Sequence, residues 1–245
     1  VVQSVFGSGF LFGIPSGANP TPIMFGAVQD TAVDFSFDLK PLYGQNQFAL
    51  EQARGKGKID IKASIGRFDP NLFNQIYFGQ TTAPGETLSS IAELATIPAA
   101  PNTVTAANGA AFKTDLGVFS TALGKWMTRV AAAPASGQYA VNTAAGVYTF
   151  AAADAGGVVK LYYTYASTGT GTTLTGGNPQ MGSGPIFSLQ LVNSFRGKSI
   201  ALSFGAVQSS KLGLPMKPDD FSLPSIDMAA QDDGTGNVFS WTLTG

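Results

Sequence analysis

A mainly β fold with one short helix is predicted by three observations along this chain of 245 residues. Apolar and polar residues alternate over several long segments, as in half-buried strands. Clusters of Gly, Asp, Asn and Ser punctuate the chain between these runs. Only one segment spaces its apolar residues as a helix does. Long alternating segments lie towards both ends of the chain and short ones in the middle. The order predicts one β core built from residues 1–80 plus 185–245. A small β subdomain at 112–166 is inserted into it, joined by a linker or crossover at 81–111 and a Thr/Gly-rich linker at 167–184.

In the first region Val33, Phe35, Phe37 and Leu39 alternate with Asp34, Ser36, Asp38 and Lys40. Ile59, Ile61, Ala63 and Ile65 alternate in the same way with Lys58, Asp60, Lys62 and Ser64. Residues 41–57 between them read as a connection too long for a tight turn, and one that carries Leu42, Tyr43, Phe48 and Leu50. Long loops bearing apolar residues tend to be functional. Asp69-Pro70 then supplies an N-cap with proline at the first helical position. Leu72, Phe73, Ile76 and Tyr77 share one helical face, and Gly79 is a natural stop. This helix is expected to cover an open end of the sheet, and Thr87–Ala95 has enough helical character for a further turn or two.

The prolines of 81–111 (Pro84, Pro98, Pro101) argue for a connector. Short strands follow at Phe112–Ser120, Trp126–Ala131, Gln138–Val141, Val147–Phe150 and Val158–Ala166, a spacing that suggests a small sandwich. After 167–184, Phe187, Leu189 and Leu191 form one strand and Ile200, Leu202, Phe204 and Ala206 the next. Asn193–Lys198 connects them, with Gly197 as the permissive residue. Ile226–Gln231 and Val238–Leu243 make a final pair, with Asp232–Asn237 read as the hairpin turn between them.

Composition narrows the function. Charged residues are only 12% against 44% hydrophobic, about half the charge of an average globular protein. A surface so weakly charged favours burial against partners. Fourteen basic and fifteen acidic residues give a net charge of −1, with no excess to neutralise nucleic-acid phosphates. The chain has neither Cys nor His, which removes thiolate nucleophiles, disulfides, Ser-His-Asp chemistry and the usual zinc ligand sets. No apolar run is long enough for a membrane-spanning helix. The strands are too few and too unevenly spaced for an outer-membrane barrel. The segment beginning Val1-Val2-Gln3 lacks the basic start and apolar stretch of a secretory leader.

The remaining motifs fail on their own chemistry. Asp232-Asp233-Gly234-Thr235-Gly236-Asn237 lacks the alternating ligands and distal Glu of a calcium loop. Gly197-Lys198-Ser199 has Val192 where a phosphate-binding loop needs its first glycine. The glycines at 7, 9 and 13 precede no helix, as a dinucleotide fingerprint requires. Arg54-Gly55-Lys56-Gly57-Lys58 is too short a basic cluster for a nucleic-acid footprint. Asp219-Asp220 has no acidic partner nearby in sequence. No catalytic residue, cofactor site or metal site is therefore expected, and the chain reads as non-enzymatic.

Several segments together resemble the tail tube (major tail) proteins of long-tailed bacteriophages. They are Val5-Phe6-Gly7-Ser8-Gly9, Pro22–Gly26 with the strand Val33–Phe37, and Lys40–Phe48 with Ala53-Arg54-Gly55 and the strand Lys58–Ile65. At the other end they are Asp220-Phe221-Ser222-Leu223-Pro224, the strand Asp227–Asp232 and Gly236-Asn237-Val238. The resemblance covers about half the chain and rests on structural motifs. It implies a β-sandwich or barrel-like tail-tube core beside a short helix. It also implies self-association into stacked rings, commonly hexameric, around a lumen through which DNA passes without specific binding. Contacts with other tail proteins, a place in the virion after synthesis in the host cytoplasm, and no membrane insertion follow from it. Residues 41–57 are then expected to be the ring-stacking arm, with Leu42, Tyr43, Phe48 and Leu50 as apolar anchors and Arg54 beside them. The competing expectations are a capsid decoration or host-surface adhesion module, whose middle unit binds a ligand, and a carboxylate hydrolase.

Overall fold

The computed structural model describes residues 4–244, with the backbone alone at Thr170; Val1, Val2 and Gln3, where the supposed leader would start, lie outside them. The chain is mainly β, with 57% of residues in strands against 6% in helices, arranged in largely antiparallel sheets that do not close into a barrel. It divides into two compact units, Val1–Thr81 with Leu174–Gly245, and Thr82–Thr173.

In chain order the first part of unit 1 contains β1 (Phe10–Pro15), β2 (Ile23–Phe25), β3 (Val28–Tyr43), β4 (Ala49–Ile65) and the helical turn α1 (Pro70–Phe73). Unit 2 contains β5 (Thr82–Thr96), β6 (Thr103–Thr105), β7 (Phe112–Ser120), β8 (Lys125–Trp126), β9 (Thr128–Arg129), β10 (Gln138–Asn142), β11 (Val147–Phe150) and most of β12 (Val158–Leu174). The chain returns to unit 1 with β13 (Ile186–Phe195), β14 (Lys198–Gly213), β15 (Ser225–Gln231) and β16 (Phe239–Leu243).

Unit 1 is one eight-stranded sheet in the order β2-β1-β13-β14-β15-β4-β3, with β16 also paired to β14. The alternation seen in sequence fixes its inner face: Ile61 lies opposite Met228 and Ala63 opposite Ile226, and all four are buried. Phe187, Leu189, Phe204, Leu11 and Phe25 join the same cluster. The helical segment closes over it through Leu72, Phe73 and Ile76. Asp69 caps it as expected, accepting hydrogen bonds from the amides of Asn71 and Leu72 at 3.0 and 3.2 Å. After one α-helical turn it widens into a π-type turn over Asn74–Phe78 and stops at Gly79, whose φ is 61°. Gly13 is what lets this lid approach, since a Cβ there would sit 3.1 Å from the Phe25 ring and 3.6 Å from Ile76.

Unit 2 is built from two four-stranded sheets, β6-β11-β10-β9 and β5-β12-β7-β8. β10 with β11, β11 with β6, β12 with β7 and β7 with β8 pair antiparallel, whereas β9 and β10 run parallel. Tyr139, Tyr148 and Phe150 from one sheet and Val118, Val159, Leu161 and Tyr163 from the other form a single buried cluster.

Four expectations need correction. Residues 41–57 are not a long loop, because β3 and β4 continue through them and only Gly44–Phe48 connects the strands. The stretch 82–96, expected as a connector with helical turns over Thr87–Ala95, is strand β5; β-branched Thr and Ile side chains suit a sheet, and its one proline, Pro84, sits on an edge strand. The supposed linker from 167 is strand as far as Leu174. Finally, β15 and β16 do not form a hairpin. Both run antiparallel to β14 along the same side, opposite Ala206–Gly213 and Ile200–Phe204 respectively. Asp232–Asn237 is thus an excursion within one continuous edge, and Gly205 makes room for it, since a Cβ there would lie 2.8 Å from that of Asp233.

Candidate assembly surface

The β3–β4 hairpin is far longer than the sheet that supports it. Strand β15 pairs with β4 only from Ile59 to Ser64. Beyond Ile59 the two strands have only each other, and at about 3.3 Å per residue the Lys58–Ala49 segment extends about 30 Å. Isolated two-stranded ribbons are marginal in water. This one is held by a ladder from Phe37 opposite Gly57 to Tyr43 opposite Ala49, interrupted by two irregularities in register. Gly57 is required opposite Phe37, because a Cβ would come within 2.8 Å of the ring. The Arg54 guanidinium lies 4.8 Å from the centre of the same ring, covering part of it by a cation–π contact.

The buried face of the sheet runs straight out along this arm. Val33 still packs against the core. After it, exposure rises outward from 41% at Phe35 to 59% at Leu39 and 85% at Phe48 near the tip. The apolar side chains along the arm are therefore left largely exposed.

Strand β16 continues the same uncovered face. Phe239, Trp241 and Leu243 lie opposite Phe204, Leu202 and Ile200, so they project on the side that carries the core. Phe204 and Leu202 are buried, whereas the three β16 residues are exposed. Phe239 meets Phe35 edge-to-face with ring centroids 5.0 Å apart, which joins β16 to the base of the arm. The result is a band of Phe35, Phe37, Leu39, Phe239, Trp241 and Leu243 that the single chain leaves facing solvent.

The residues singled out in sequence are all exposed and all on the arm, but they do not form one cluster. Tyr43 shares its strand face with Phe37 and Leu39, Leu42 points to the opposite face, and Arg54 is engaged with Phe37. Leu50 lies over Gly44, at a distance of 2.8 Å from where a Cβ would stand. Phe48 stands alone at the tip. In sequence Phe35, Phe37 and Leu39 read as the apolar side of a half-buried strand, and Val238–Leu243 as one strand of a final pair. Strand length is the one signal that could have revealed the band, since alternation through Leu39 and resuming near Ala49 outruns a strand of typical size.

The ionisable groups are occupied elsewhere. Asp232 accepts hydrogen bonds from the amides of Gly234 and Gly236, and Asp233 from the amide and hydroxyl of Thr235. The Thr235 hydroxyl, then its amide, hold the Asp233 carboxyl below its usual range. Asp220 is likewise lowered by a hydrogen bond from Lys217, then by the Phe221 amide. In unit 2 Asp115 takes hydrogen bonds from the hydroxyls of Tyr139 and Tyr148, and Arg129 stands 3.5 Å away. Burial, followed by Asp115, pushes both tyrosine hydroxyls far above their ordinary value. A cavity of about 640 Å³ beside the helical segment has Tyr77, Gln80, Pro185, Gln208 and Ser209 in its walls and no acidic or basic side chain. Among the described residues no group of three or more Asp or Glu side chains is placed to hold a metal ion, and no helix is long and apolar enough to cross a membrane. No family model matches the chain, and no curated protein matches it.

Proposed function

We propose that the chain is a structural virion protein that self-assembles into stacked rings, forming a tail tube through which phage DNA passes. The observation that carries the reading is the apolar band continuing from the core onto the projecting β3–β4 arm and β16. A monomer gains nothing by exposing Phe35, Phe37, Leu39, Trp241 and Phe48, whereas a second copy laid against them removes them from water. An arm of about 30 Å reaches well beyond its own unit, as a contact between successive rings requires. The low charge, with a net value of −1, suits close packing of copies and weak attraction for a passing phosphate backbone. The resemblance of several sequence segments to tail tube proteins favours this assembly among those that such a band would serve.

The test is to shorten the arm. Joining Ser36 to Lys58 through an Asn-Gly turn keeps the supported part of the hairpin and supplies the turn it needs. The purified variant is expected to keep its β-rich circular dichroism while failing to form tubes under the electron microscope. Tubes of normal length from the shortened protein would overturn the reading.

A further inference from the structure

Unit 2 carries an aromatic platform on the outer face of its β5-β12-β7-β8 sheet, away from the cluster of Val118, Val159 and Leu161. Three neighbouring strands contribute to it. Lys160 of β12 lies opposite Phe119 of β7, which lies opposite Trp126 of β8, and Tyr162 lies opposite Gly117. Trp126 is 56% exposed although two rings hold it. Phe119 meets it edge-on at 5.7 Å and Tyr162 at 4.9 Å with the planes tilted by 48°.

The backbone is shaped to seat this indole. The register passes from Tyr162–Gly117 to Tyr163–Asp115, which leaves Leu116 unopposed as a bulge. Gly117 has a φ of 120°, and a Cβ there would stand 3.2 Å from the Trp126 ring. Its amide is tied to Asp115 at 3.1 Å, and Asp115 is fixed in turn by Tyr139 and Tyr148. An exposed tryptophan is thus held rigid by a buried polar network, the condition in which little ordering is lost on binding.

Lys160 lies on the same face, opposite Phe119 and two residues from Tyr162, and forms no ion pair among the described residues. Lys125 lies opposite the buried Ser120 and so projects from the other face. Three strands at about 4.8 Å spacing give a platform about 10 Å across. That matches one or two sugar rings and falls far short of the roughly 800 Å² per partner of a stable protein interface. We infer that this face of unit 2 binds an acidic glycan, a sugar ring stacking its C–H face on Trp126 while its carboxylate meets Lys160. The site is separate from the band on unit 1 and does not depend on how copies assemble.

Titration calorimetry on the full chain tests this with sialyllactose, a galacturonic-acid oligomer and the uncharged lactose and maltohexaose. Both acidic saccharides are expected to bind more tightly than the neutral ones, and more weakly as salt is raised. Trp126→Ala is expected to weaken acidic-saccharide binding by about tenfold or more, with Trp126→Phe retaining part of it. Lys160→Gln should remove the preference for acid, whereas Lys198→Gln, which removes a charge from the other unit, should not. Circular dichroism checks that each variant is folded. The inference is overturned if no saccharide binds the unaltered chain, if neutral sugars bind as well as acidic ones, or if folded Trp126→Ala binds as before. A change in sedimentation of Trp126→Ala with saccharide binding intact would assign the platform to a contact between copies and overturn it as well.

Discussion

At the scale of single residues, the structure separates polar groups that are satisfied from two, among the described residues, that are not. The hydroxyls of Thr31 and Ser209 are buried without a hydrogen-bond partner. Thr31 lies opposite Ala63 on the core side of β3, where a methyl group would suit the site better than a hydroxyl. An unsatisfied buried hydroxyl costs about 1–3 kcal/mol. Thr31→Val keeps the shape and removes that cost, so it is expected to stabilise unit 1 by about 1 kcal/mol. Urea unfolding checks it, and a destabilised variant would show that the hydroxyl does useful work. Asp115 illustrates the other limit, with Tyr139, Tyr148, the Gly117 amide and Arg129 all directed at one carboxylate. None of these partners is near it in sequence except Gly117, so spacing gave no hint that the tyrosines converge.

At the scale of elements, the β3–β4 hairpin shows how a correct pattern leads to a wrong boundary. Alternation identified both strands. The gap between the alternating runs, residues 41–57, reads as a connection, although in the folded chain Gly57 admits the Phe37 ring and Pro41 pairs with Gln52 at a sheet edge. Leu39 is 59% exposed on the arm, which gives a sharp expectation. Leu39→Lys is expected to change the unfolding free energy by less than about 0.5 kcal/mol, as surface substitutions do, while abolishing assembly by sedimentation velocity. A large loss of stability would mean that Leu39 packs within its own chain. The helical segment was fully legible, because its determinants are local: the Asp69 cap, Pro70 and the left-handed Gly79.

At the scale of the whole molecule, the two units carry separate cores and different sensitivities to pH. Unit 2 keeps Tyr139 and Tyr148 protonated, their hydroxyls raised above the ordinary value of 10.0 by burial first and by Asp115 next. The stability this confers is complete below about pH 10. It falls as pH rises further, because the unfolded chain releases these protons while the folded one retains them. Unit 2 is therefore expected to unfold cooperatively in alkali, with phenolate absorbance appearing as its structure is lost. Tyr148→Phe removes one such group and should flatten the decline by about 1.4 kcal/mol per pH unit. An unchanged slope in urea titrations through this range would show that Tyr148 ionises in the folded state.

What the sequence determined by itself is everything set by local chemistry: the β class, the capped helical turn, a hairpin connection turning on Gly197, whose φ is 76°, and the absence of Cys and His. The structure narrows that connection from Asn193–Lys198 to Arg196-Gly197, because Asn193–Phe195 and Lys198 are paired in the ladder. The tertiary structure alone decided which alternating residues are buried. Phe37 and Ile61 have the same pattern in sequence, yet one is half exposed and the other wholly buried, because β15 and the core lie against one half of the hairpin and not the other. It also decided that β15 and β16 share an edge, and that Trp126 rests on Gly117. Those relations depend on which strands become neighbours, and period-2 alternation says only that a strand has two faces.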